Sequence, residues 1–596
     1  MIVNLAYDNV NDILLFITCL LQLLLFYREF ESEQNTPFGR SLPKIAPLTT
    51  VGRQGCYANV WKVDDTKGCE VDRLASLCAA HADSVTLSVF VLALLVGRLL
   101  TRWWKLRKLP PGPRGLPILG YLPFFRGDTH LHYLELAKKF GSVFSIKLGN
   151  QHVVVLSDYK LIREAFRKEE FTGRPQSEFS DILGGYGVIN IDGNLWKDQR
   201  RFLHEKLRKF GMTITDSGRT HMESRIMKEV HLFLRSLVEC RSRPTDLNPV
   251  LATSISNVIC SVIMSVRFSL EDPRFKLFMD LIAEGFKLFA RMSYVNFIPI
   301  MRYLPGLQAT RAKIAQNRNE MAQFFQETVD NHKKTFDPSN LRDIVDTYIL
   351  EIQESTAQGR LMFGGRDPDR QIQQVIGDLF TAGMETIKTT LQWSVVYMLR
   401  NPEVAKAVQE ELDQVVGRTR LPNLRDREFL PYTECVILEV LRISSVVPLG
   451  STHAVTKDVE LGGYTIPQGV QVVPHIHAVH MDPTLWDQPE QFRPERFLNA
   501  EGKVQKPDFF IPFGVGRRMC LGDVLARMEL FLFFSSFLHC FHVSVPEGHP
   551  LPSLQYVPGI TLTPQSFQVA LTQRMLHDCD LEFLSDHLTS RNVGSH

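Results

Sequence analysis

Net charge is almost absent from this chain of 596 residues, in which 67 Lys and Arg face 65 Asp and Glu for a formal charge of +2. A nucleic-acid partner, which asks for a concentrated basic excess, therefore has no support. Paired cysteine spacing is lacking too. The ten cysteines contain no Cys-x-x-Cys, which argues against a zinc site or a disulfide framework and for a reducing compartment. Neither an internal repeat nor a long Gly/Ser linker follows Pro110. Length alone would suggest about four domains, but without such breaks one large, mainly helical domain is expected. Long apolar runs are scarce as well: Ile13 to Tyr27 spans 15 residues, short of the about 20 that a spanning helix needs. Apolar residues still make up 44% of the chain, ample for a large core.

What is present is chemistry concentrated in one stretch. Phe513-Gly514-Val515-Gly516-Arg517-Arg518-Met519-Cys520-Leu521-Gly522 precedes a nearly unbroken apolar helix pattern from Val524 to Phe537. Glycines at 514, 516 and 522 let the backbone turn tightly and lie close to a flat ligand. The N–H groups opening the next helix can point at the Cys520 sulfur and favour its thiolate. A thiolate so presented suits haem iron, pushing electron density toward it.

The stretch resembles the haem-binding loop of the cytochrome P450 monooxygenases, Phe-x-x-Gly-x-Arg-x-Cys-x-Gly, with Phe513, Gly516, Arg518, Cys520 and Gly522 at its fixed positions. The resemblance implies a mainly α fold with a small antiparallel β-sheet subdomain and an N-terminal membrane anchor. It implies haem b held by Cys520 as axial iron ligand, dioxygen as co-substrate, and electrons from NADPH through a cytochrome reductase, with cytochrome b5 as a further partner.

A second motif, Asp378-Leu379-Phe380-Thr381-Ala382-Gly383-Met384-Glu385-Thr386, lies in a helical pattern running to Arg400. Glycine inside a helix costs about 1 kcal/mol relative to alanine, so Gly383 suggests that something approaches the helix closely. By resemblance this is the oxygen-binding segment, with Thr386 as hydroxyl donor and Glu385 as proton relay. A threonine in mid-helix otherwise bonds back one turn. Ile387 departs from the family, where a second Thr or Ser often follows the pair.

Further resemblances place the remaining site residues. Trp196 and Arg200 are four apart, hence on one helix face, and match residues holding a haem propionate. Arg174, His453 and Arg518 match further propionate contacts. Glu439, Arg442 and Arg496, in Glu-x-x-Arg and Pro-Glu-Arg-Phe, match a buried structural charge set behind the haem. Lys197, Arg201, Lys206, Arg208 and Lys209 form a basic face for an acidic redox partner or a merely solvated surface. Val446 to Gly450, Pro175 to Ile191, Phe286 to Tyr303 and Val557 to Thr561 are candidate cavity segments, the third as an apolar roof or as ordinary core. Residues 143–157 read as two strands around a Gly-Asn turn. His475, His477 and His480 sit on an extended stretch without a third ligand at metal spacing, which discounts zinc.

The chain divides accordingly. Residues 1–80 are an unassigned extension, 84–104 a membrane anchor or a buried core helix, with Arg98, Arg102 and Lys105 on the C-terminal side of its apolar run Val85 to Val96, and 105–120 a basic, proline-rich hinge. The catalytic domain covers 121–570 and the tail 571–596. Positive charge on the C-terminal side of the anchor puts the main domain in the cytosol, on the endoplasmic reticulum membrane; mitochondrial targeting has no support. Within the family, Glu170 to Pro175, Leu195 to His204, Ala382 to Thr390 and Phe513 to Phe534 resemble the arthropod ecdysteroid 26-hydroxylases, which implies a lipophilic ecdysteroid substrate and hormone inactivation. A fatty-acid or xenobiotic hydroxylase of the same clan, and a haem protein that binds or senses without turnover, are the alternatives.

Overall fold

The computed structural model describes residues 88–574, except 99, 102, 103, 127, 214, 215, 241 and 242. The extension at 1–80, the start of the expected anchor and the tail beyond 574 lie outside the described residues. Residues 88–98 are helical, and no helix among the described residues is long and apolar enough to cross a membrane. The chain separates into two compact units after Lys108.

The second unit begins with the proline segment, which lies along a strand as a strap. Pro111 O accepts from Ser145 N (3.0 Å) and Pro110 O from the Ser145 hydroxyl (2.7 Å). A Cβ on Gly112 would fall 1.7 Å from Ser145 O, so only glycine allows this approach. Helix α1 (Thr129–Phe140) leads into the hairpin β1 (Val143–Leu148) and β2 (Gln151–Leu156), which pair antiparallel. The predicted Gly149-Asn150 turn joins them, with Gly149 at φ +56.

Helices then dominate. They run α2 (Tyr159–Arg167), α3 (Glu178–Leu183), α4 (Gly193–Lys209), α5 (Asp216–Val238), α6 (Asn248–Ile263), α7 (Pro273–Phe297), α8 (Pro305–Lys334), α9 (Ile344–Ala357), α10 (Pro368–Arg400), α11 (Pro402–Val415) and α12 (Pro431–Ser444). Strands β3 (His453–Ala454), β4 (Val459–Leu461), β5 (Tyr464–Ile466) and β6 (Gln471–Pro474) follow, then α13 (Ile476–His480) and α14 (Asp523–Cys540). The domain closes with β7 (Phe541–Ser544), β8 (Tyr556–Val557), β9 (Thr563–Pro564) and β10 (Ala570–Gln573). Because β10 pairs with β7, the folded unit runs to Gln573 rather than stopping at 570.

Two helices position the site. α10 is started by Asp367, whose carboxylate accepts from Asp369 N and Arg370 N, with Pro368 at its first position, the expected chemistry of a helix N-terminus. α14 is buried without interruption from Met528 through Cys540 and is apolar on nearly every side there, as a helix crossing a large core must be. The largest core cluster joins α10 and α14 with α5, α6, α11 and α12.

The four-stranded sheet has the order β1-β2-β6-β3 and is mixed, not purely antiparallel. β6 pairs parallel to β2, because it returns only after the long helical crossover that a parallel pair requires. The stretch carrying His475, His477 and His480 is not extended: β6 ends at Pro474 and α13 begins at Ile476.

Candidate active site

Cys520 sits on the short loop between Phe513 and α14. Its N–H bonds to Phe513 O (2.9 Å), which closes the loop. Gly516, at φ +81, could not carry a Cβ without meeting the Phe166 carbonyl oxygen at 2.0 Å. Cys520 is exposed and lines a cavity of about 460 Å³. Burial pushes the thiol pKa up, while the Gly522 N–H, Arg200 and Arg527 act the other way. Desolvation outweighs these favourable contributions. A bound metal deprotonates such a thiol outright.

Three guanidinium groups crowd one wall of that cavity. Arg518 donates to Thr172 O (2.9 Å) and Ile191 O (2.6 Å). Arg174 donates to Ile189 O (2.9 Å) and Thr452 O (2.7 Å), and Arg200 to Met519 O (2.6 Å). The acceptors are all backbone carbonyls, and among the described residues none of the three guanidinium groups pairs with a carboxylate. Burial and mutual repulsion push Arg518 down to about 8 and Arg174 to about 10. Trp196 is buried beside them, and the Arg518 guanidinium carbon lies 4.0 Å from its ring centroid. His453 donates from Nδ1 to Phe171 O (2.6 Å), and burial, then Arg174, push it down to about 3.

This donor set calls for an anion. The family's group, haem b, carries two carboxylates, and the uncompensated Arg174, Arg200 and Arg518 suit them as charge-assisted partners. Gly522 adds a second sign of fit: it lines the cavity beside Cys520, and a Cβ there would meet no protein atom within 4 Å. The residues present fit the group.

Across the cavity, α10 contributes Ala382, Gly383, Thr386, Ile387 and Thr390. A Cβ on Gly383 would lie 2.6 Å from Ile259 Cδ1, so the close approach expected there is made by α6. Thr386 Oγ1 donates back to Ala382 O (2.8 Å), the bond a mid-helix threonine commonly makes. Glu385 does not line the cavity; its carboxylate takes Lys388 Nζ (2.7 Å) and Thr389 Oγ1 (3.2 Å).

Behind the loop, Glu439 and Arg442 are fully buried and doubly bonded (2.7 and 2.8 Å), and Arg496 Nε reaches Glu439 (3.0 Å). The three residues picked from two separate motifs therefore form one charge set. Arg442 also donates to His480 O (2.8 Å).

Val188, Ile189, Val446, Val447, Gly450 and Ile560 line the cavity as their segments suggested. Among the described residues, none from Phe286 to Tyr303 does so. That segment ends α7 and makes a surface turn, with Ile300 and Tyr303 over two-thirds exposed. Ile259, Val262 and Ile263 of α6 take the expected place of the roof.

The loop over the cavity is tied down at three points. Glu178, itself buried, pairs with Arg302 and Arg311. Gly184 and Gly185 carbonyls accept from Arg366. Val188 N and Ile189 N donate to Asp378 Oδ2 (2.7 and 3.0 Å). Sequence reasoning assigned no role to Asp378; its signal was an acid set among Val375, Ile376, Leu379 and Phe380, two turns before Thr386.

The cytochrome P450 family profile matches residues 110–571, and the chain belongs to that family. It is a monooxygenase of the haem-thiolate type, using haem b, dioxygen and electrons from a redox partner on a lipophilic substrate. Among its relatives is cytochrome P450 18a1 of Drosophila melanogaster, 55% identical over 519 residues, covering 87% of this chain and 96% of that one. Cytochrome P450 2U1 of Rattus norvegicus is 35% identical over 491 residues, covering 78% and 91%. Cytochrome P450 2J5 of Mus musculus is 36% identical over 513 residues, covering 83% and 97%.

Proposed function

We propose that this monooxygenase hydroxylates an ecdysteroid at its terminal side-chain carbon and oxidises the product onward to the acid, inactivating the hormone. The observation that carries the reading is convergence. The four segments that resemble ecdysteroid 26-hydroxylases supply Arg174, Trp196, Arg200, Gly383, Thr386, Ile387 and most of the Phe513–Gly522 loop to one cavity. The rest of its lining is largely aliphatic, with Ile259, Val262, Ile263, Val446 and Val447 facing inward, which suits a lipophilic body held by a few polar groups.

Haem, when bound, supplies dioxygen activation. The chain's own residues do the remainder. Cys520 would hold the haem iron through its sulfur, and Arg174, Arg200, Arg518 and His453 with Trp196 would hold the propionates. Thr386 offers a hydroxyl over the cavity, and Gly383 lets α6 close against it. Glu385 stands one residue before it on the helix as the proton relay, its carboxylate held by the buried Lys388 and Thr389. Phe513, Gly516 and Gly522 shape the loop, while Glu439, Arg442 and Arg496 hold the fold behind it.

The reading extends to the endoplasmic reticulum membrane and to an NADPH–cytochrome reductase, with cytochrome b5 as a second donor. Two exposed apolar segments support the membrane. Leu116 to Leu119 and Ile300 to Leu304 flank the β1–β2 turn, where Gly149 N bonds to Leu119 O and Asn150 N to Phe297 O.

The test is turnover of 20-hydroxyecdysone by the membrane-expressed protein with reductase and NADPH, read by mass spectrometry beside a Cys520→Ser control. Gain of one oxygen followed by an acid, lost in the control, is the expected result. No product from a preparation with a normal thiolate–haem carbon monoxide spectrum would overturn the substrate and leave the monooxygenase.

A further inference from the structure

Glutamine is mostly a surface residue, because its amide brings two donors and an acceptor that each need a partner. Gln371 of α10 is nevertheless 0% exposed and Gln199 of α4 only 4%, and neither lines the cavity. The two belong to one chain of hydrogen bonds. Gln371 Oε1 accepts from Gly187 N (3.1 Å), and its Nε2 donates to Gly187 O (3.0 Å). The same Nε2 donates to Gln199 Oε1 (3.2 Å), which also accepts from the buried Tyr348 hydroxyl of α9 (2.7 Å). Burial, then Asp378, push the Tyr348 pKa up, so the hydroxyl stays a donor.

The ends of this chain lie in different parts of the site. Gly187 belongs to the loop over the cavity and directly precedes Val188 and Ile189, which line it. At φ +92, and with Asp378 Oδ2 and Gln374 Cγ in the way of any Cβ, only glycine lets the loop backbone come down on Gln371. At the other end, Gln199 is buried on the α4 face of Trp196 and Leu203 and directly precedes Arg200. Two amides thus join the loop backbone to the helical turn that presents Trp196 and Arg200. The chain also has a sense. With Gly187 in place only one orientation of the Gln371 amide is allowed, since the other sets N–H against N–H and oxygen against oxygen. The allowed one aims an N–H at Gln199. Once Gly187 lifts, nothing fixes that orientation and the amide is left with unpaired buried groups. Turned over, its oxygen faces the Gln199 oxygen and no longer holds it.

We propose that Gln371 is a positioning residue that couples the cavity loop to α4. With the loop seated, its amide holds Gln199 and, through it, the turn whose Trp196 and Arg200 would grip a haem propionate. Loop seating and haem retention then support each other, because coupling between two sites acts equally in both directions. A molecule packed against Val188 and Ile189 seats the loop and thereby steadies the haem, and an emptied cavity relaxes both. Gln371 and Gln199 touch neither substrate nor haem in this scheme; they act through Gly187 at one end and Arg200 at the other.

The inference rests on haem being held at Arg200 but not on the ecdysteroid substrate, and its test needs no turnover. Two quantities are measured on the holoenzyme: the rate of haem transfer to apomyoglobin, and amide hydrogen exchange across residues 186–190 by mass spectrometry. Gln199→Met removes the shared acceptor while leaving both Gly187–Gln371 bonds in place. Several-fold faster haem loss is expected, together with several-fold faster exchange in the loop, to which Gln199 itself makes no hydrogen bond. Gln199→Glu, which keeps an oxygen at that position, recovers part of both. Tyr348→Phe, which loses only the hydroxyl, gives a smaller change of the same kind. Gln371→Leu accelerates both, and adding Gln199→Met to it brings no further acceleration of haem loss, because the two act through one chain. Normal carbon monoxide spectra certify that the variants are folded and loaded. Loop exchange that stays unchanged in Gln199→Met overturns the proposal and makes Gln199 a local support of α4 only. So does a double variant in which the two accelerations multiply, since independent contacts would behave that way. Failure to oxidise an ecdysteroid leaves both measurements intact and bears only on the substrate.

Discussion

Arg518 lies over Trp196, its guanidinium carbon 4.0 Å from the ring centroid, and from there spans Thr172 and Ile191 with its N–H groups. The indole face supports the cation where no carboxylate pairs with it. A desolvated pair of this kind is worth about 2 kcal/mol, and lysine cannot reproduce the planar fork. Arg518→Lys and Trp196→Ala should therefore both lower haem occupancy, read as haem absorbance per protein, with the folded far-ultraviolet spectrum retained.

Removing Glu439 should be far more severe. It would strand Arg442, fully buried, and Arg496, nearly so, without their shared acceptor. Breaking a buried set in this way costs about 3–5 kcal/mol. Glu439→Ala is expected to yield no haem-loaded protein at all, whereas Cys520→Ser yields folded protein without the thiolate carbon monoxide band.

Gly516→Ala tests the loop from the backbone side. At φ +81 and with Phe166 O in the way, alanine should cost more than about 1 kcal/mol. Thermal unfolding should show the loss, and Gly514→Ala, which is strained by its φ but meets no neighbour, should lose less.

Asp378→Ala frees Val188 N and Ile189 N over the cavity. Substrate contacts are loosened while Cys520 and Thr386 are untouched, so KM should rise several-fold with a smaller change in kcat. Steady-state kinetics at saturating reductase separates the two.

Acid should weaken the fold before carboxylates protonate. Burial pushes His453, His475, His477 and His480 down to about 3 from 6.5. Each is neutral when folded and takes a proton when unfolded, so its contribution is complete above 6.5 and shrinks as pH falls from 6.5 toward 3. Each costs at most about 1.4 kcal/mol per pH unit in that window. His332, raised despite burial by its bond to Asp343, opposes them with the reverse sign. The melting temperature should drop between neutral pH and pH 5, and His475→Asn should flatten the slope.

Much of this was legible in the residues because loop chemistry is local. Cys520 with its flanking glycines could be read without neighbours, whereas Glu439 and Arg442, one turn apart, are a pair that surface helices carry routinely and reached the site through resemblance. Arg496 could be joined to them only through resemblance, and the structure puts it 3.0 Å from Glu439. Side-chain direction was harder. Glu385 and Thr386 are adjacent in sequence, yet successive helix positions point about 100° apart, so only Thr386 meets the cavity. The apolar content of Phe286 to Tyr303 resembled a roof, but composition does not distinguish a buried face from an exposed one, and α6 holds that place.

The three ties on the loop from Glu178 to Ile189 differ in kind, and that difference gives substrate traffic a direction. Asp378 holds the inner end with short bonds inside the core, while Arg302 and Arg311, each over two-fifths exposed, hold the outer end through Glu178. Ionic strength weakens an exposed pair more than a buried one. The loop should therefore peel from Glu178 inward, so that salt shortens the residence time of a bound molecule while its orientation over Cys520, fixed from the Asp378 end, stays the same.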